Sequence, residues 1–149
     1  MASRARDLTY DGGHLKGRFE VGWRNVVLWI LQVALGIYFI YVGVMHFIVP
    51  DGLPGPMEWM YDLNDTAHAI AGTAEILGGL GLILPSVTRI RPELTVYAAV
   101  GLMIVMISAL VWHATRGEGA SIGFNIGNTV LLGTVAYGRW RLEPIEPRT

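Results

Sequence analysis

Long uncharged apolar runs alternate along this chain with short polar segments. A bilayer core is about 30 Å thick, and a helix needs roughly 20 apolar residues to cross it. The first run covers about residues 26–49; it holds no charge, and its polar members include Gln32 and His46. The second covers about 67–84 and carries one charge, Glu75. The third, about 94–112, has no charge, and the fourth, about 122–137, is short but can extend through Ala120 and Trp140. The pattern predicts an all-α fold, an integral membrane four-helix bundle without a soluble catalytic domain. Residues 1–25 form a polar N-terminal segment, 26–141 the transmembrane domain and 142–149 a tail.

The punctuation between the runs agrees with four helices. Pro50, Pro54 and Pro56 stop the first helix, because proline lacks the N–H that continues a helical ladder. Asp65 or Thr66 is placed to cap the second helix, Pro85 to close it and Ser86 to start a tight turn. Pro92 suits the first turn of the third helix. Gly117 and Gly119 break the chain before the fourth. A short interfacial helix is expected at residues 57–63.

Composition sharpens this picture. Of 149 residues, 52% are apolar and 15% are charged, where an ordinary soluble domain carries about 25% charged residues. The net charge of −1, without any basic run, gives no footprint for nucleic acid. The absence of cysteine excludes disulfides, thiol relays and thiolate metal sites on this chain. The polar first 23 residues and the length of the first apolar run do not read as a cleaved secretory signal.

Lys and Arg set the expected orientation. Threading four spans puts ten of the 11 basic residues on one side, from Arg4, Arg6, Lys16, Arg18 and Arg24 through Arg89 and Arg91 to Arg139, Arg141 and Arg148. Only Arg116 falls on the other. By the positive-inside rule both termini face the cytoplasm of a bacterial-type plasma membrane. Aromatic residues collect at the span ends, with Trp23, Trp29, Tyr97, Tyr137 and Trp140 inside and Trp59, Tyr61 and Trp112 outside.

The 19 glycines suit close helix packing in lipid. Gly36 and Gly43 share a face of the first helix. Gly72, Glu75 and Gly79 share one on the second, with Gly78 and Gly81 widening it. Asn125, Asn128 and Thr129 form a polar stripe on the fourth, read chiefly as interhelical hydrogen bonders.

Glu75 is the most informative residue, since a charge near mid-membrane must be protonated, paired or hydrated. His46 lies about 5 Å from the outer end of its helix at 1.5 Å per residue. His68 and His113 fall at the outer ends of the next two helices, and Asn125 starts the fourth at that level. The topology therefore gathers His46, His68, Glu75, His113 and Asn125 into one candidate cofactor-binding pocket. His14, in the polar N-terminal segment, reads as solvated. Histidine, amide and carboxylic acid groups can hydrogen-bond a quinone head and carry its protons. A haem between His46 and His113, and a metal at His46, His113 and Glu75, are alternatives that no motif marks. No P-loop, dinucleotide fingerprint, nucleophile elbow or zincin motif is present.

The chain resembles the DoxX-like family of small four-helix membrane proteins. The resemblance rests on Gly43-Val44-Met45-His46-Phe47, Glu75-Ile76-Leu77-Gly78-Gly79, Trp112-His113 through Arg116-Gly117-Glu118, and Tyr137-Gly138-Arg139-Trp140. It spans residues 26–141. It implies a membrane subunit linked to quinol oxidase and thiosulfate:quinone chemistry, or a membrane partner of redox and stress-response proteins. Three functions are therefore carried forward. One is a quinone-binding subunit of a redox assembly, whose enzymatic activity would belong to a quinone-linked oxidoreductase complex. The second is a non-catalytic accessory subunit, packed against other membrane proteins or its own copies. The third is a small-solute transporter.

Overall fold

The computed structural model describes residues 22–148. The basic residues Arg4, Arg6, Lys16 and Arg18, and His14, lie outside the described part. Four long helices follow one another: α1 Trp23–Ile48, α2 Asp65–Thr88, α3 Leu94–Arg116 and α4 Gly119–Tyr137. A 3-10 helix, Gly55–Asp62, lies between α1 and α2, and a π-helical turn, Gly138–Leu142, continues α4. No strand occurs among the described residues. Each helix packs on its successor, and α1 also touches α4.

Glycine sets the tightest of these contacts. A Cβ placed on Gly43 would lie 2.8 Å from the carbonyl oxygen of Gly72, and one on Gly79 would lie 2.6 Å from that of Gly36. The pairs run in opposite directions along α1 and α2, so the two helices are antiparallel with touching backbones. Gly78 and Gly81 do the same for α3, against Leu102 and Ala98. Small residues at such crossings supply van der Waals contact where lipid supplies no hydrophobic drive. Between them a core of Leu35, Phe39, Leu82, Leu102, Leu132 and Val135 is buried.

The outward faces are apolar. Ile30, Ile37, Ile70, Leu77, Ile104 and Val130 are all exposed, a surface that water does not tolerate over such an area and lipid does. By length and composition α1, α2 and α3 can each cross a membrane. The 19-residue α4 carries Asn125 and Asn128 and falls short of that standard.

Local details depart from the expectations in instructive ways. The helix α2 does not close at Pro85; it runs on to Thr88. Proline removes one ladder bond, the one to the Gly81 carbonyl, and a membrane helix runs through such a gap where its neighbours hold it in place. Here Gln32 of α1 donates its amide to the Leu82 carbonyl at 2.6 Å, and Ser86 Oγ meets Thr95 Oγ1 of α3 at 2.8 Å. The cap of α2 is Asn64 rather than Asp65 or Thr66: its side chain accepts the Ala67 N–H at 2.9 Å. Gly119 opens α4 instead of preceding it, and Gly117 alone makes the left-handed stop of α3. Among the described residues Asn125 and Asn128 make no interhelical bond; each donates to the carbonyl four residues back, Ser121 and Phe124. The interfacial helix expected at 57–63 is the 3-10 segment, tied down by Tyr61, whose hydroxyl donates to the Pro50 carbonyl and accepts the Leu53 N–H.

Candidate functional site

Two polar clusters sit at opposite ends of the bundle. The first is built where α1 and α2 touch. A Cβ on Gly72 would lie 2.9 Å from the Cβ of His46. Glycine there lets the histidine lie directly against α2. His46 Nδ1 then stands 2.9 Å from His68 Nδ1, and His68 Nε2 stands 3.0 Å from the Met60 carbonyl oxygen. On its other side His46 Nε2 is 3.5 Å from Glu75 Oε2. Glu75 is 4% exposed, and its Oε2 has no hydrogen-bond partner among the described residues. The result is a line of four groups from the 3-10 segment into the membrane-spanning region: Met60 carbonyl, His68, His46, Glu75.

A cleft of about 430 Å³ opens beside this line, bordered by His46, Phe47, Met60, Tyr61, Asp65 and His68. Apolar and polar walls meet in it, as in sites that hold a ring by its faces and its oxygens by a few placed groups.

The remaining pocket candidates are placed differently. His113 is at the same end but not in the line. Trp59 stands between, its ring 5.8 Å from His46 and 5.3 Å from His113. His113 Nδ1 contacts Glu118 Oε2 at 2.5 Å, and Arg116 Nε donates to Glu118 Oε1 at 2.6 Å. Arg116 also bonds Asp62, the last residue of the 3-10 segment. Hydrogen bonds from Arg116 first, and from His113 second, hold the Glu118 carboxyl below the usual carboxylate range. This group clasps the 3-10 cover to the α3–α4 turn. Asn125 is buried, but its amide is used within α4 and no hydrogen bond joins it to the histidines. The structure thus gathers three of the five candidates, His46, His68 and Glu75, places His113 behind Trp59, and leaves Asn125 apart. With Trp59 between them, His46 and His113 do not share the faces of one haem. Among the described residues no group of three His, Asp or Glu side chains could hold a metal ion.

The second cluster centres on Arg139, which is 4% exposed. Its Nε donates to Gln32 Oε1 at 2.8 Å, and its Nη1 donates to Asn25 Oδ1 at 2.7 Å and to the Glu143 carbonyl at 3.2 Å. The guanidinium lies 5.0 Å from the Trp29 ring centroid. Gln32 passes the network on to α2 through the Leu82 carbonyl. The tail folds back over this end, where Arg89 Nε donates to the Glu146 carbonyl and Arg148 N–H to that of Arg89.

Trp59, the Met60 carbonyl, Glu118 and the Arg139 network were not among the expected site groups. A lone Gln32 inside an uncharged span and an arginine just past the last span were the only sequence signals for the network. Nothing in the sequence marks a particular carbonyl.

An all-helical chain with several membrane-crossing helices and a buried histidine–carboxylate line is a multi-pass membrane protein of the small polytopic class. It belongs to the DoxX-like family, whose family model matches residues 30–136. No curated protein and no solved structure matches the chain.

Proposed function

We propose that the chain is the membrane subunit of a redox assembly and binds a quinone head group in the cleft beside His46 and His68. In this reading α4 crosses the bilayer with the other three helices. The termini face the cytoplasm of a bacterial-type plasma membrane, and the cleft opens in the outward half. The observation that carries the reading is the buried line His68–His46–Glu75, whose two histidines border an amphipathic cleft with Glu75 behind His46. An ionisable residue inside a span is costly and is kept where it serves a ligand or a proton. Here His46 borders the cleft, and the unpaired Glu75 Oε2 facing its Nε2 can exchange a proton with it when a head group is bound. Described arginines other than Arg116 collect at the opposite end: Arg24, Arg89, Arg91, Arg139, Arg141 and Arg148, which supports the orientation. The electrons would come from a partner.

A second reading is an accessory subunit without its own ligand. It draws on the exposed face of α2, where Thr66, Ala69, Thr73 and Ala74 border a shallow depression of about 700 Å³. Small residues on such a face suit another helix. Native purification with mass spectrometry of bound lipids and proteins separates the two. Co-purifying quinone that is lost in Glu75→Gln supports the first reading. Stoichiometric larger partners without quinone, in the wild type as in the variant, support the second and sink the first.

A further inference from the structure

We infer that His68 is a positioning residue: anchored on the Met60 carbonyl, it fixes the tautomer of His46 so that a bare Nε2, the one nitrogen of that ring free to take a proton, faces Glu75. The inference deepens the quinone reading above and takes from it only the identity of the ligand.

The argument needs only donor and acceptor rules. A carbonyl oxygen can only accept, so His68 Nε2, 3.0 Å from the Met60 carbonyl, carries the hydrogen. A neutral imidazole has one N–H, which leaves His68 Nδ1 an acceptor. His46 Nδ1 lies 2.9 Å from it and is therefore the donor. Neutral His46 then has a bare Nε2, 3.5 Å from Glu75 Oε2. Each tautomer is set by the bond its other nitrogen makes, as for histidines oriented by an outer partner. Both rings are buried, so water competes little for these bonds.

The pair at the end of the line carries one proton when it is neutral overall. With the proton on Oε2, Glu75 is a donor and His46 Nε2 an acceptor. When it moves, the Oε2–H bond breaks, an Nε2–H bond forms, and the carboxylate keeps the electron pair. An oxygen of a quinone or hydroquinone head meets a donor or an acceptor accordingly. His68 touches neither the proton nor the head group in this scheme; it acts through His46. The Met60 carbonyl comes from the 3-10 cover, so the cover also sets the direction of the line. Trp59, from the same segment, lies beside the His46 ring, the two planes tilted by 55°.

The test is nitrogen-15 NMR of the full chain, labelled at the imidazoles and held in lipid nanodiscs without added quinone. Resonances are assigned with His14→Gln and His113→Gln variants. The expected result is His46 protonated at Nδ1 only and His68 at Nε2 only. His46 protonated at Nε2 with a bare Nδ1 overturns the inference. His68→Leu should abolish the Nδ1–H form of His46. His68→Gln should restore it, because a glutamine can donate to the Met60 carbonyl and accept from His46. An unchanged His46 spectrum in His68→Leu overturns the positioning role. If His68→Leu does not fold, the wild-type and His68→Gln spectra still decide. A separate titration with a soluble quinone tests the earlier reading: no binding removes the quinone, and the tautomers stand or fall on the spectra alone.

Discussion

The two polar clusters use the same kind of interhelical position for opposite ends. At one, Arg139 reaches four groups through permanent charge and neutral acceptors: Gln32 and Asn25 of α1, the Glu143 carbonyl and, by way of Gln32, the Leu82 carbonyl of α2. A guanidinium does not release its proton at any ordinary pH, so this network has one state. At the other, imidazoles and a carboxyl meet each other, one carboxyl oxygen is left without a bond, and a cleft opens alongside. Those groups exchange protons readily. Each end holds one buried polar atom without a hydrogen-bond partner among the described residues, Arg139 Nη2 at one and Glu75 Oε2 at the other. The arginine end is a fixed joint because its charge is permanent, whereas an imidazole and a carboxyl can trade a proton. A buried polar cluster in a membrane bundle is thus not evidence of function by itself. Space adjoins both, with a cleft of about 520 Å³ bordered by Asn25, Trp29 and Glu143 at the arginine end, and what separates the two is whether their members can exchange a proton.

That contrast can be broken most severely at the shared glycine crossing. Gly72→Leu should separate α1 from α2, because the new Cβ would meet the Gly43 carbonyl at 2.8 Å and the His46 Cβ at 2.9 Å. Overpacking costs about 1–3 kcal/mol, and more where the obstacle is backbone. Thermal unfolding in detergent should show a much lower midpoint, with quinone co-purification lost as well.

Arg139→Met should act on stability alone. It strands the acceptors on Gln32 and Asn25, at about 1–3 kcal/mol for each that finds no new donor. Quinone bound per folded molecule should stay at the wild-type level. Loss of quinone at unchanged stability would merge the two ends into one functional unit.

Glu75→Gln should do the reverse. The amide is isosteric and can donate to the bare His46 Nε2 in place of the carboxylic acid, so the packing is kept and the exchangeable proton is lost. The unfolding midpoint should hold while quinone affinity drops at least about tenfold, the equivalent of 1.4 kcal/mol.

The smallest effect is expected at the surface clasp. The carboxyl of Glu118 is held below its ordinary range, so its contribution is present above the usual carboxylate pKa and is lost as pH falls through the lowered one. Acidification should release the 3-10 cover, read as a change in Trp59 and Trp112 fluorescence, and Glu118→Gln should remove that acid transition. Exposed ion pairs contribute little to stability, so the global unfolding midpoint should barely move.

Much of this was legible from the chain because lipid imposes simple rules. Apolar run length marks α1, α2 and α3, and the spacing of Gly36, Gly43, Gly72 and Gly79 marks the face on which α1 meets α2. Glu75 stands out as a charge inside a span, and the order of the helices brings His46 and His68 to its level. Pro85 misled because proline removes only one ladder bond, the one to the Gly81 carbonyl, and the bonds of Gln32 to the Leu82 carbonyl and of Ser86 to Thr95 hold this stretch of α2 against α1 and α3. Asn125 misled because an asparagine in a helix can satisfy itself on the preceding turn. The insertion of Trp59 between His46 and His113 depends on how the 3-10 cover lies across the bundle, and no periodicity encodes that. The role of the Met60 carbonyl is invisible in principle, since every residue has one.

The most direct measurement of the central claim is a binding titration of a short-chain quinone to the purified protein in nanodiscs, for wild type, Glu75→Gln and Arg139→Met in parallel. Saturable binding by the wild type and by Arg139→Met, lost in a well-folded Glu75→Gln, is the predicted result. Equal affinity for wild type and Glu75→Gln would contradict the assignment of the histidine end as the ligand site.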